Sequence, residues 1–222
     1  SNDAPLSDSP AIVRVLSEKC KVSAFVSNNA YYGCFEHLRV ATGIDGSCEA
    51  RPVVVSFGIG EDATFEKALL EQFPCLRLFA FDPAPKAWAY WIKQDWVPRY
   101  EAEGRLVMLG VGLGTQDKAN AFALPPNPNH VSATQINPGV KNDWLRNRER
   151  VLLSTLRLQS VMQLYGINWI SLLKIDVEGA EFPVIDELDK LPATELLLET
   201  HERFFSNPPA IFAKMHQRLV DF

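Results

Sequence analysis

From Val53 onward, short apolar runs rich in β-branched and aromatic residues alternate with stretches whose apolar residues recur at helical spacing. That alternation constrains the fold more than any other feature. Strands joined through helices lie parallel, with the helices covering both faces of the sheet through right-handed crossovers. "VVVSF" (53–57) reads as a first strand ending at Gly58, and "DATFEKALLEQF" (62–73) as a helix with Phe65, Ala68, Leu69 and Phe73 on one face. "LRLFAF" (76–81) is the second strand, "PKAWAYWIKQ" (85–94) a helix carrying Trp88, Trp91 and Ile92, and "RLVMLGVG" (105–112) the third strand. "LPPNPNHVSATQINPG" (124–139), with four prolines, reads as an ordered surface loop. "LRLQSVMQLYG" (156–166) is a helix stopped by Gly166, "ISLLKID" (170–176) the fourth strand, "EFPVIDEL" (181–188) a helix that tolerates Pro183 in its first turn, and "ELLLETH" (195–201) the fifth strand.

The 222 residues suit one large domain with a small appendage. Residues 1–50 read as an N-terminal tail and helical extension, with Ala11 to Cys20 a short helix, and residues 51–222 as the main domain. A formal net charge of −5 gives no general attraction to phosphate backbones, so nucleic acid is excluded as a first partner. No apolar run reaches the roughly 18 to 20 residues that span a bilayer. Of the four cysteines, Cys20, Cys34 and Cys48 lean towards pairing, while a buried free thiol suits Cys75 as well as any other state. That leaning favours the secretory lumen over the cytoplasm.

A sheet of this kind binds ligands at the carboxyl ends of its strands, where the strand order reverses. "SLLKIDVEGAEFPVI" (171–185) places Asp176, Glu178 and Glu181 at that edge. "GIGEDA" (58–63) satisfies G-x-G-x-x-A, and Asp82 ends the second strand 22 residues after Gly60, the spacing of a ribose-binding acid. A nicotinamide dinucleotide would set its pyrophosphate against Glu61 and Asp62, where like charges repel. S-adenosylmethionine has no phosphate, carries a sulfonium and an ammonium, and still offers a ribose diol to Asp82. Cofactor contacts are therefore expected from Phe57, Gly58, Gly60 and Glu61, from Asp82 and Pro83, from Gly112, and from Asp176.

The segments "VVVSFGIGEDATFEKALL", "FAFDPAPKAW", "LPPNPNHVSATQ", "LRLQSVMQLYGINWISLLKIDVEGAEFPVIDEL" and "ELLLETHERFF" resemble, in that order, the FkbM-type methyltransferase domain, especially its eukaryotic methyltransferase-like branch. "KIDVEGAE" and "FDP" are the specific elements. The resemblance implies a Rossmann-like class I fold and S-adenosylmethionine-dependent methyl transfer to oxygen, with sugar or polyketide hydroxyls as acceptors. Class I folds usually close with an antiparallel pair of strands; here that pair is apparently missing after the helix expected at Pro208 to Leu219, which leaves the fifth strand as an open edge and a homo-oligomer as one way to cover it.

Methyl transfer needs the acceptor oxygen held in line with the sulfonium and its proton removed. Asp176, Glu178, Glu199 and His201 form the expected set. Asp176 sits nearest the cofactor, Glu178 and Glu199 at the acceptor mouth, and His201 is the base because its ordinary pKa lies near neutrality. A divalent cation held by Asp176, Glu199 and His201 is chemically reasonable. Glu181 reads as a helix cap, and Lys174 as a side chain reaching out to solvent. His130, Ser132 and Thr134 belong to the proline-rich loop. An NAD-dependent oxidoreductase and a non-catalytic S-adenosylmethionine-binding module are the alternatives.

Overall fold

A computed structural model describes residues 13–15, 23–25, 31–127 and 129–222. In chain order the elements are β1 (Val13–Val15), β2 (Ser23–Phe25), β3 (Tyr31–Gly33), β4 (Val53–Phe57), α1 (Thr64–Gln72), β5 (Arg77–Phe81), α2 (Pro85–Trp91), α3 (Val97–Ala102), β6 (Leu106–Leu109), β7 (Gly112–Leu113) and β8 (Lys118–Ala123). There follow β9 (Thr134–Gln135), α4 (Asn142–Leu145), β10 (Arg150–Leu156), α5 (Leu158–Leu164), β11 (Ile170–Ile175), α6 (Glu181–Glu187), β12 (Ala193–Leu198) and α7 (Pro208–Asp221).

The main sheet runs β1-β12-β11-β4-β5-β6. From β12 to β6 every neighbour is parallel, and the order reverses between β4 and β11. This is the Rossmann-like α/β arrangement that the strand-helix alternation implies. Alternation along each strand divides the core in two. Val55, Phe57, Phe79, Phe81, Leu173 and Ile175 face α5, α6 and α7, where they meet Leu158, Val161, Phe182, Ile185 and Met215. Val54, Leu78, Ala80 and Leu172 face the other side, packing with Phe65 and Leu69 of α1 and with Trp91, Val97 and Tyr100. Both faces of each strand are apolar because both are covered.

Three expectations are corrected, and the state of Cys75, left open by the sequence, is resolved. Val13–Val15, within the expected N-terminal helix, forms a strand; residues 11, 12 and 16–20 lie outside the described residues. That strand pairs antiparallel with β12, Val13 opposite Leu198 and Val15 opposite Leu196, so the fifth parallel strand is not an open edge. Its valines are β-branched, and such residues suit strand more than helix. The span 105–112 does not stay one strand: it breaks after Leu109, and Gly112–Leu113 joins a second sheet, ordered β7-β10-β8-β9. Cys75 is not a free thiol but is bonded to Cys48; Cys34 is also disulfide-bonded. The bond joins the segment before β4 to the start of β5, tying the N-terminal region to the sheet.

Candidate functional site

Four of the five parallel strands, β4, β5, β11 and β12, are each followed by a residue that extends the ladder past the carboxyl end. Gly58 N donates to Phe81 O, Asp82 N to Leu109 O, Asp176 N to Phe57 O, and Glu199 N to Ile175 O, at 2.9 to 3.3 Å. Four separated parts of the sequence thus meet in one row at the edge where the strand order reverses. Gly58 has φ of +77°, and a Cβ there would lie 1.6 Å from the Asp176 carbonyl oxygen, so only glycine lets these two turns touch. Gly60, also at positive φ (+53°), would carry a Cβ into open space, so this turn presents bare backbone.

One cavity is lined by Gly58, Gly60, Asp82, Pro83, Gly112 and Asp176, joined by Val177 and Glu178. Its far wall belongs to the small sheet and the proline-rich loop: Leu113, Phe122, Val131, Ser132 and Ala133. Asp82 is buried; its Oδ2 accepts from Gly60 N at 2.9 Å and its Oδ1 from Ala84 N at 2.8 Å. Burial raises the Asp82 pKa above its ordinary value, against the pull of those two N–H groups and of Lys174. The carboxylate is held rigidly, with lone pairs left for a ligand hydroxyl. Two expected contacts lie elsewhere. The Phe57 ring is fully buried and stacks on Phe81 at 4.9 Å, leaving only its backbone near the row. Glu61 lines a neighbouring cavity with Asp62, Glu66 and Lys174.

Lys174 does not reach solvent. It lies on the α1 side of β11, and its Nζ donates to Gly58 O at 2.8 Å, 3.9 Å from both Glu66 Oε1 and Asp176 Oδ2. Glu66 in turn accepts from Ser56 Oγ at 2.7 Å. Burial raises the Glu66 pKa, and Lys174 opposes the shift. A buried ammonium is thus satisfied by carbonyl and carboxylates directly beneath the glycine turn.

His201 gathers the acids. Its Nε2 lies 3.5 Å from Glu178 Oε2, 3.6 Å from Glu199 Oε1 and 3.8 Å from Asp176 Oδ1. Its ring is 1% exposed and stacks on Phe204 at 5.5 Å. Glu181 holds it from behind: Oε1 accepts from His201 N at 2.7 Å and lies 3.2 Å from His201 Nδ1, while Oε2 accepts from Gly179 N at 2.7 Å. Glu181 is therefore more than a helix cap. Nothing in its sequence setting distinguishes it from an ordinary first-turn acid, because its partner lies 20 residues away.

Burial presses the His201 pKa down, but the hydrogen bond to Glu181 and the charges of Glu181, Glu178 and Asp176 outweigh it and raise the value to about 9. The imidazole alone among these acids is thus a cation at neutral pH, unlike the neutral base expected from its ordinary pKa. Burial and the Asp176 charge push Glu199 up to about 7, with His201 pulling the other way. Glu178 adopts φ of +52°, in the left-handed region, and its side chain reaches Arg203 at 4.0 Å as well as His201. Of the three polar loop residues, Ser132 reaches the cavity, Thr134 is buried in β9 and His130 is exposed.

Residues 47–219 match the family model of the methyltransferase FkbM domain. No curated protein and no solved structure matches the chain.

Proposed function

The chain belongs to the FkbM methyltransferase family, and on that premise we propose that it transfers the methyl group of S-adenosylmethionine to a hydroxyl oxygen of a sugar, a glycan or another small molecule. One observation carries this reading: the cavity lined by Gly58, Gly60 and Asp82 opens on Asp176 and Glu178, two members of the carboxylate set around His201. The cleft at the glycine turn and the carboxylate cluster share a wall.

S-adenosylmethionine supplies an electrophilic methyl carbon on a positively charged sulfur. Asp82 takes the ribose hydroxyls, and the bare backbone of the glycine turn admits the cofactor closely. The acids nearby favour its sulfonium and ammonium and disfavour a dinucleotide pyrophosphate. Asp176 stands at the cofactor end of the cluster and Glu178 at the acceptor mouth. With the acceptor oxygen bonding to the methyl carbon as the carbon–sulfur bond breaks, the hydroxyl proton would pass to the Glu178 and Glu199 carboxylates, which lie beside the His201 cation. Asp176, Glu199 and His201 are also the side chains that would hold a divalent cation. The Cys48–Cys75 bond supports action in an oxidising compartment such as the secretory lumen.

Calorimetric titration with S-adenosylmethionine, its demethylated product and NAD tests the cofactor, and a transfer assay over a panel of sugars and small hydroxyl compounds tests the acceptor. S-adenosylmethionine should bind and NAD should not. Asp82→Ala should weaken binding roughly tenfold to a hundredfold, the loss of a hydrogen bond to a charged group. NAD binding without S-adenosylmethionine binding would refute the reading.

A further inference from the structure

We infer that Asp176, Glu199 and His201 form a divalent-cation site, suited to manganese or magnesium, in which Glu181 fixes the histidine ligand. The inference rests on the methyltransferase reading only for its use; the site stands on its own geometry.

One ligand atom from each of the three residues lies within 4.8 Å of the other two. Neighbouring ligands on an octahedral ion with bonds of about 2.1 Å are roughly 3.0 Å apart, and opposite ligands roughly 4.2 Å. The His201 Nε2 separations of 3.6 Å from Glu199 Oε1 and 3.8 Å from Asp176 Oδ1 lie between those two values, and closing to neighbouring positions needs a contraction of roughly 0.6 to 0.8 Å about an ion.

An independent observation is the state of His201. Its side chain is 1% exposed, and Nε2 faces the Glu178, Glu199 and Asp176 carboxylates at 3.5 to 3.8 Å, longer than ordinary hydrogen bonds, so a buried nitrogen is aimed into the set of acids. A carboxylate only accepts, so Glu181 Oε1 at 3.2 Å keeps a proton on Nδ1, and Nε2 is the nitrogen a metal would take, displacing the proton it carries in the metal-free protein. Glu181 also binds the His201 backbone N–H, which sets the ring's origin as well as its tautomer. This carboxylate–imidazole arrangement is the usual support of a metal-bound histidine. Charge points the same way. Glu178 and Glu181 add to the two carboxylate ligands, while the nearest other cations, Lys174 at 3.9 Å from Asp176 and Arg203 at 4.0 Å from Glu178, stand at the margins.

The cation site adjoins the cofactor cavity and shares Asp176 with it. Asp176 lines the cavity, whereas Glu199 and His201 do not. Two carboxylates and one imidazole are hard ligands with a single nitrogen, a set that suits manganese or magnesium more than zinc or copper. Glu178 lines the cavity and is left free to face the acceptor. A cation at this point would lower the pKa of a hydroxyl bound to it.

The test uses the full chain, stripped with chelator and titrated with manganese alone, following loss of the free-ion electron paramagnetic resonance signal. One saturable ion per chain is expected, with nitrogen hyperfine coupling from an imidazole in the wild-type spectrum. His201→Ala and Glu199→Gln should abolish saturation, and Glu181→Gln should weaken binding about tenfold to a hundredfold while keeping the far-ultraviolet circular dichroism of the parent. Absence of saturable binding, or of nitrogen coupling, overturns the site, as does binding that survives both ligand substitutions. S-adenosylmethionine titrated in the presence of chelator separates the two readings. Cofactor binding and transfer without a manganese site would leave the methyltransferase and remove the cation. A manganese site without cofactor binding would do the reverse.

Discussion

At the scale of single residues, the site holds groups whose protonation is linked to stability. His201 is raised to about 9 and Glu199 to about 7, from ordinary values of 6.5 and 4.5. In both cases the folded state binds the proton more tightly than the unfolded chain. The His201 contribution is therefore complete below pH 6.5 and lost as pH rises through about 9; the Glu199 contribution is complete below pH 4.5 and lost through about 7. Metal-free protein should lose roughly 3 kcal/mol of stability across the upper window, read from urea midpoints between pH 6 and pH 10. His201→Ala should flatten that limb and Glu199→Gln the lower one; a wild-type profile that is level from pH 5 to pH 9 would contradict both assignments. Glu178 makes a different case, because its left-handed backbone at φ +52° costs about 1 kcal/mol that glycine does not incur. Glu178→Gly should keep the fold's thermal midpoint at or above that of the parent and still impair methyl transfer. Unimpaired transfer would make the strain incidental.

At the scale of elements, two of the connections that hold the N-terminal region against the sheet can be tested separately. The Cys48–Cys75 bond closes a loop of 27 residues, for which loop entropy predicts about 3.5 kcal/mol of stabilisation. Replacing both cysteines by serine should lower the unfolding free energy by that order in denaturant titrations, and an unchanged midpoint would show the bond to be dispensable. The second connection is β1 on the outer edge of β12. Removing residues 1–16 should leave the Leu196–Leu198 backbone unpaired and promote self-association, visible by light scattering. A truncated chain with the parent's mass in solution would show that another segment covers the edge.

For the whole molecule, the two sheets have separate tasks and a common cavity. The parallel sheet supplies Gly58, Gly60, Asp82 and Asp176, while Phe122 and residues 131–133 close the opposite side. A ligand filling the cavity couples the two. At a hundredfold excess over its dissociation constant, the demethylated cofactor should raise stability by about 2.7 kcal/mol. Amide exchange should slow in both sheets together. Protection confined to the parallel sheet would place the ligand away from Phe122.

Much of this was legible in the residues themselves. Continuous short apolar runs located the five parallel strands, and apolar residues at helical spacing located the helices α1, α2, α5 and α6, because an element covered on both faces or on one stripe must carry that pattern locally. The glycine turn, Asp82 and the acids after β11 and β12 were legible too, since the carboxyl edge of a parallel sheet follows from the strand order. The small sheet was not: β8 and β10 carry exposed and half-buried residues in turn, and β7 has only two residues. Nor was the Val13–Val15 strand, whose partner is β12, nearly the whole chain away. Glu181 looked like a helix-terminal acid and Lys174 like a surface amine, while the state of Cys75 stayed open. Each took its role from a partner far along the sequence or across a turn: His201, the Gly58 carbonyl and Cys48. Local sequence determined which elements form and what lies at their ends. Only tertiary structure decided which charges meet, which edge is covered and which side chain is buried, because those depend on contacts that a pattern along the chain does not encode.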